Sequence, residues 1–189
     1  MNSRYDSIRG HASGADAGTE TTRVANYLAR PAEQLVLEGY RSWTAACIWH
    51  SPAELDRCRE LYDSTIDGRA ARVAFDALGD FIQSLGRCAS CPLKTHLAGC
   101  PSVCRDEVMV LGLIAALQID DSAAADLCLD ALSCPAQRQR VEIAALNFAI
   151  TLRALGHTLL PIPAPVIAQM PNGEPRPAQT TAPLHPTLH

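Results

Sequence analysis

The chain has 189 residues, 48% of them hydrophobic, only 5% aromatic, and a formal net charge of −4. That length suits one domain with a sizeable core, and so few aromatics leave Leu, Ala, Val and Ile to build it, which favours close-packed helices over strands. All but one of the 16 Lys and Arg residues are arginine, Lys94 being the exception, and no basic run of the kind that grips nucleic acid occurs.

Residues 1–22 are polar, rich in Ser, Gly, Asp and Thr, and read as a disordered N-terminal tail without the apolar core of a secretory signal. The helical domain is expected over 23–160. Its first helix starts near Pro31, a residue suited to the first helical position, and Val36, Tyr40, Trp43 and Cys47 mark its apolar stripe. Ser51-Pro52-Ala53-Glu54 has the pattern of a capping box, and the second helix that follows carries Leu55, Cys58, Leu61 and Tyr62 on its apolar side. Asp67-Gly68 separates it from a third, very regular helix with Ala71, Phe75, Leu78, Ile82 and Leu85 in register, ending at Gly86 as a C-cap.

The loop over 86–104 interrupts this helical pattern. It contains Cys88-Ala-Ser-Cys91-Pro and His96-Leu-Ala-Gly-Cys100-Pro-Ser-Val-Cys104. Beyond it Ser102 is the expected cap of a fourth helix, with Asp106 and Glu107 in its first turn, where the helix dipole favours acid. Val108 to Leu117 is the longest apolar run, too short to cross a bilayer. As a helix apolar all round, it is expected at the domain's centre, flanked by the third and sixth helices, with Gly112 permitting a close approach. Asp120-Asp121-Ser122 opens a short fifth helix with Leu127, Cys128 and Leu132. Ser133-Cys134-Pro135 precedes the sixth, striped by Val141, Ala145, Phe148, Leu152 and Leu155 and closed by Gly156. Residues 161–189 hold most of the 13 prolines and read as an extended or disordered tail, whose start, Pro161 to Ile167, can pack across the bundle. The predicted fold is therefore all-α, a bundle of about six helices with a cysteine-rich loop between the third and fourth.

Four of the eight cysteines lie in that loop with the spacing C-x2-C-x8-C-x3-C. A Cys-x-x-Cys pair chelates one metal ion at small loop cost, and a second pair brought alongside completes a tetrahedral thiolate site. Pro92, Gly99 and Pro101 are residues that turn a chain around an ion. Cys104, expected in a helix's first turn, would have its thiolate favoured by the dipole. The candidate ligands are Cys88, Cys91, Cys100 and Cys104, with His96 as the alternative to Cys88. Zinc is the first reading, unliganded cysteines the second, and an iron–sulfur cluster the third. The expected compartment is the cytoplasm, where clustered cysteines stay reduced and point to metal or thiol chemistry rather than disulfides. Cys47, Cys58 and Cys128 lie on apolar stripes and read as core, Trp43 and Trp49 as core or edge anchors, and Asp120-Asp121 as a cap. Nothing in the sequence assembles a catalytic nucleophile or a phosphate-binding glycine loop. The functional expectation is a non-enzymatic metal-binding protein that works through a protein partner, with a redox or iron sensor as the alternative.

Pro31-Ala-Glu-Gln-Leu-Val-Leu-Glu-Gly, His96-Leu-Ala-Gly-Cys100-Pro, the run from Asp106-Glu107 into Leu-Ile-Ala-Ala-Leu-Gln118, and Leu155-Gly-His-Thr-Leu-Leu-Pro161 resemble stretches of a group of small helical proteobacterial proteins. The resemblance covers residues 31–163. It implies a helical bundle with a central His/Cys-Pro loop in which His96 and Cys100 are the shared positions, and it implies no activity. The group's loop has fewer cysteines, packed as Cys-Pro-Cys. Here Cys88 and Cys91 are additional, and the second cysteine of the pair stands at Cys104.

Overall fold

A computed structural model describes residues 27–87 and 93–170. Within them the chain forms seven helices and no strand: α1 Pro31–Trp49, α2 Pro52–Thr65, α3 Gly68–Gly86, α4 Arg105–Gln118, α5 Ser122–Leu132, α6 Arg138–Ala154 and α7 Ala164–Gln169. No helix among them is long and apolar enough to cross a membrane. The helix starts follow local chemistry. Prolines open α1 and α2, where a missing N–H is harmless, and Asp121 caps α5 by accepting from the Ala124 amide at 3.0 Å. The Ser51 capping box does not form. Ser51 is the N-cap of α2, yet its side chain makes no cap hydrogen bond, and Glu54 pairs instead with Arg57 one turn on. Nor does Gly86 act as a left-handed cap: it is the last residue of α3, and Arg87 follows in a right-handed conformation.

α4 is the central helix. Met109 to Ala116 are buried without a break, while α5 and α6 supply its main neighbours. The expectation that α3 flanks it is corrected. α3 packs chiefly on α6 and α2, with the Phe81 ring 6.3 Å from that of Phe148 on α6. The reason lies in the short α4–α5 connection, which returns the chain antiparallel at close range. Gly112 makes that possible: a Cβ there would stand 3.1 Å from Cys128 Sγ on α5. The stripe residues of α3, Ala71, Phe75, Leu78, Ile82 and Leu85, are buried, as are Val141, Ala145, Phe148 and Leu152 of α6.

On α1 the stripe holds for Val36 and Tyr40, weakens at half-buried Trp43, and fails at Cys47, which is exposed together with Ile48 and Trp49. The last turn of α1 is open to solvent, so Cys47 is not a core residue and Trp49 is not an anchor. Residues 161–170 pack across the bundle, as expected for the start of the C-terminal segment, and include a short helix. Pro165 sits in the first turn of α7, where proline is tolerated. Ile162 packs on the core and Ile167 is buried in it, both reaching toward Gly112. Of the two tails expected over 1–22 and 161–189, the first and residues 171–189 of the second lie outside the described residues.

Candidate functional site

The segment from Leu93 to Cys104 enters α4 at one end of the bundle, and two buried charged side chains hold it there. Arg41, on α1, and Glu107, in the first turn of α4, are both fully buried. They form a bidentate pair, with Arg41 Nε donating to Glu107 Oε1 at 2.8 Å and Nη2 to Oε2 at 3.0 Å. The rest of the guanidinium reaches the loop backbone: Nη1 donates to the Cys100 carbonyl at 2.7 Å and Nη2 to the Ser102 carbonyl at 2.5 Å. Nη1 also donates to Glu38 Oε1 at 2.9 Å, and the other oxygen of Glu38 accepts the Gly99 amide at 2.7 Å. Gly99 takes φ +77°, a left-handed turn that a side chain would strain.

Glu107 works in the same way from the other side. Its carboxylate accepts from the His96 amide at 2.8 Å, the Thr95 hydroxyl at 3.1 Å and the Cys104 amide at 2.9 Å. Asp106 accepts the Lys94 amide at 2.8 Å. Burial alone would raise the Glu107 carboxyl, but the hydrogen bonds from Arg41, His96 and Cys104 and the Arg41 charge hold it below its ordinary value. Burial would likewise lower the Arg41 guanidinium, and the hydrogen bond and charge of Glu107 keep it raised.

The cap of α4 is Cys104 rather than Ser102. Its sulfur accepts from the Glu107 amide while the Glu107 side chain takes the Cys104 amide, a capping box built on a thiol. The thiol in turn donates to the Lys94 carbonyl at 3.2 Å. Ser102 is displaced from the capping role because its carbonyl is tied to Arg41. The Cys104 thiol is raised, not lowered as expected of a helix start. Burial raises it most and prevails, although the Glu107 and Asp106 amides each lower it by more than the charge of the same residue raises it. The Tyr40 phenol is raised by burial first, then by Asp106, Cys104 and Glu107.

Of the candidate ligands, Cys100 and Cys104 are half-buried in this segment, and His96 is half-buried with its backbone on Glu107. Cys88 and Cys91 lie outside the described residues. Among the described residues no three His, Cys, Asp or Glu side chains gather as a metal-binding group, so His96, Cys100 and Cys104 do not meet as three ligands. The Cys58 and Cys128 thiols are buried in the core and pushed up by that burial to about 12. Sequence reasoning placed Asp106 and Glu107 near a helix start but missed Arg41 altogether. The available signal was a charged residue between Tyr40 and Ser42 in a helix whose stretch from Leu35 to Tyr40 is otherwise apolar on its packed face. No family model matches the chain, and neither a curated protein nor a solved structure is similar to it.

Proposed function

We propose that the chain is a non-enzymatic metal-binding helical protein whose ion, zinc first, is held by the thiolates of Cys88, Cys91, Cys100 and Cys104, and that it acts through a protein partner in the cytoplasm. The observation that carries this reading is the fixed backbone around Cys100 and Cys104. A helical bundle that needs only a connection between α3 and α4 has tied this one down at Lys94, His96, Gly99, Cys100, Ser102 and Cys104. Ligands on such a backbone lose little freedom when they bind. The donor set is all sulfur, which suits tetrahedral zinc and also an iron–sulfur cluster. With His96, Cys100 and Cys104 not gathered, the four-cysteine set is preferred to the His96 variant. The partner reading draws on α6. Its buried face is backed by exposed Ile143, Leu146 and Ile150, which are 62%, 37% and 46% accessible and spaced to share one side of the helix.

Metal analysis of protein purified without oxygen tests the proposal. One zinc per chain in colourless protein is expected. A visible absorption band with iron and sulfide would select the sensor alternative, and protein free of any metal after purification from metal-supplemented medium would refute both.

A further inference from the structure

We infer that Arg41 and Glu107 are positioning residues: together they latch the segment from Lys94 to Cys104 onto α1 and α4 before any ion arrives, so that Cys100 and Cys104 are presented rather than recruited. This deepens, and as regards the metal rests on, the thiolate-centre reading above.

A buried ion pair is a poor source of stability, because removing two charges from water offsets most of their attraction. Apolar side chains of similar volume would hold α1 to α4 equally well. What this pair provides that an apolar pair could not is directed hydrogen bonds, and the partners it reaches lie mostly on the loop. Arg41 binds the carbonyls of Cys100 and Ser102, and Glu107 binds the amides of His96 and Cys104 with the Thr95 hydroxyl. Glu38 extends the grip to Gly99. These bonds require no side chain of Cys100, and at Cys104 they engage the amide, so the backbone is fixed while the sulfur of Cys100 is left for other use. The bond from the Cys104 thiol to the Lys94 carbonyl would be exchanged for a metal–sulfur bond, the thiol proton leaving to solvent as the thiolate coordinates. Partners outside the ligand set commonly change metal affinity by about 10–100-fold.

The test replaces both charges at once. Arg41→Met combined with Glu107→Met, in the full chain, leaves no unpaired buried charge. Its melting temperature is expected to stay near that of the parent, whereas the loop loses its ties. In protein treated with chelator, hydrogen exchange at the His96 and Cys104 amides is expected to be slow in the parent and fast in the double variant. Alkylation of Cys100 and Cys104 should accelerate about tenfold in that variant. Zinc affinity, read by competition with a chromophoric chelator, should fall about tenfold. Glu38→Gln is the milder variant should the double one fail to fold. It removes charge from a part-exposed group and should speed exchange at Gly99 without moving the melting temperature. Fast exchange at His96 and Cys104 in metal-free parent protein would overturn the latch, as would a double variant with unchanged exchange and zinc affinity. If the parent binds neither zinc nor a cluster, the thiolate-centre reading fails, while the exchange and alkylation measurements still decide whether the latch exists.

Discussion

Gly39 sits where three helices meet, and adding one methyl group there measures how tightly they are joined. It lies on the buried face of α1, and a Cβ built on it would stand 2.8 Å from Tyr62 Cε2, 3.0 Å from Tyr62 Oη and 3.1 Å from Leu78 Cδ2. Two effects oppose each other in Gly39→Ala. Alanine is favoured over glycine in a helix interior by about 1 kcal/mol. Overpacking a filled site costs about 1–3 kcal/mol. Which wins depends on whether Tyr62 can retreat. Its ring is fully buried, stands edge-on to Phe75 at 6.2 Å, and is carried on α2, which packs along α1. A ring fixed on both sides cannot yield several tenths of an ångström cheaply, so the upper part of that range applies. The net result is a loss of about 1–2 kcal/mol, or a melting temperature lower by about 3–6 °C for a domain of this size. Gly86→Ala is the internal control. It is helical, a Cβ there meets nothing within 4 Å, and it should gain a few tenths of a kcal/mol because the unfolded chain loses freedom. Urea unfolding of both variants, with midpoint and slope recorded, separates the two effects. If Gly39→Ala proves as stable as the parent, the α1–α2–α3 junction is looser than its geometry states and the reasoning fails.

Leu111→Asp places an unpaired charge in the most deeply buried helix and should destabilise by several kcal/mol; an unchanged melting curve would show that α4 is not central. In native protein at pH 8, iodoacetamide should modify exposed Cys47 readily and leave Cys58 and Cys128 untouched until the chain unfolds, since both are fully buried with thiols near 12; mass spectrometry of the labelled peptides reads this directly. Glu107 is depressed from 4.5, so its contribution to stability is fully present above that value and is lost as pH falls through the lower folded value. Unfolding free energy should therefore drop more steeply on acidification in the parent than in the Arg41→Met, Glu107→Met double variant. Chelator should lower the melting temperature while leaving most helical circular dichroism at 25 °C, because the bundle has its own apolar core; complete loss of helix would make the ion obligatory for folding, and an unmoved melting curve would argue against a structural metal.

The helices were legible because burial imposes a period on sequence. α3 and α6 show the 3.6-residue stripe over their whole length, and the structure buries those residues except Leu155, the half-buried C-cap of α6. α4 was legible as central from being apolar all round. Of its neighbours, α6 was anticipated and α5 was not, since a stripe says that a helix buries a face without saying against what. Cys47 illustrates a second limit: a stripe continues in sequence to the end of α1, but burial stops a turn earlier. Ser51 and Ser102 had the right residue type for caps, and each lost the role to local competition, Glu54 to Arg57 and the Ser102 carbonyl to Arg41. The Arg41–Glu107 pair spans 66 positions, and no local rule connects them. What the sequence does carry is the oddity of each partner, a charge embedded in an apolar neighbourhood, and two such oddities in one chain are grounds to suspect a pair.

The distribution of buried polar groups follows the irregular chain, not the helices. Ser84 and Ser133 are buried yet return their hydroxyls to carbonyls of their own helix or its end, so they organise nothing beyond it. The remaining large buried polar side chains each hold a non-helical segment. Arg41 and Glu107 hold residues 94–104. Gln118, at the end of α4, donates to the carbonyl of His157 and accepts the amide of Leu159, while Arg153 ties the Gln118 carbonyl to α6. Glu33 accepts the Leu160 amide at 2.8 Å and is itself paired with Arg30. Helices satisfy their own backbone, so a bundle needs buried polar side chains only where unpaired amides and carbonyls must cross its core. That makes the two kinds of substitution separable. An apolar change at Leu111 or Phe148 strikes the bundle as a whole, whereas an apolar change at Gln118 or Glu33 should first free the 157–160 segment, with α7 behind it, at temperatures where the rest of the helices remain folded. Glu33→Leu with its melting monitored by amide exchange decides the matter: early loss of protection at Leu160 and into α7 is the expected result, and simultaneous loss across α1 and α4 would show that these groups support the core itself.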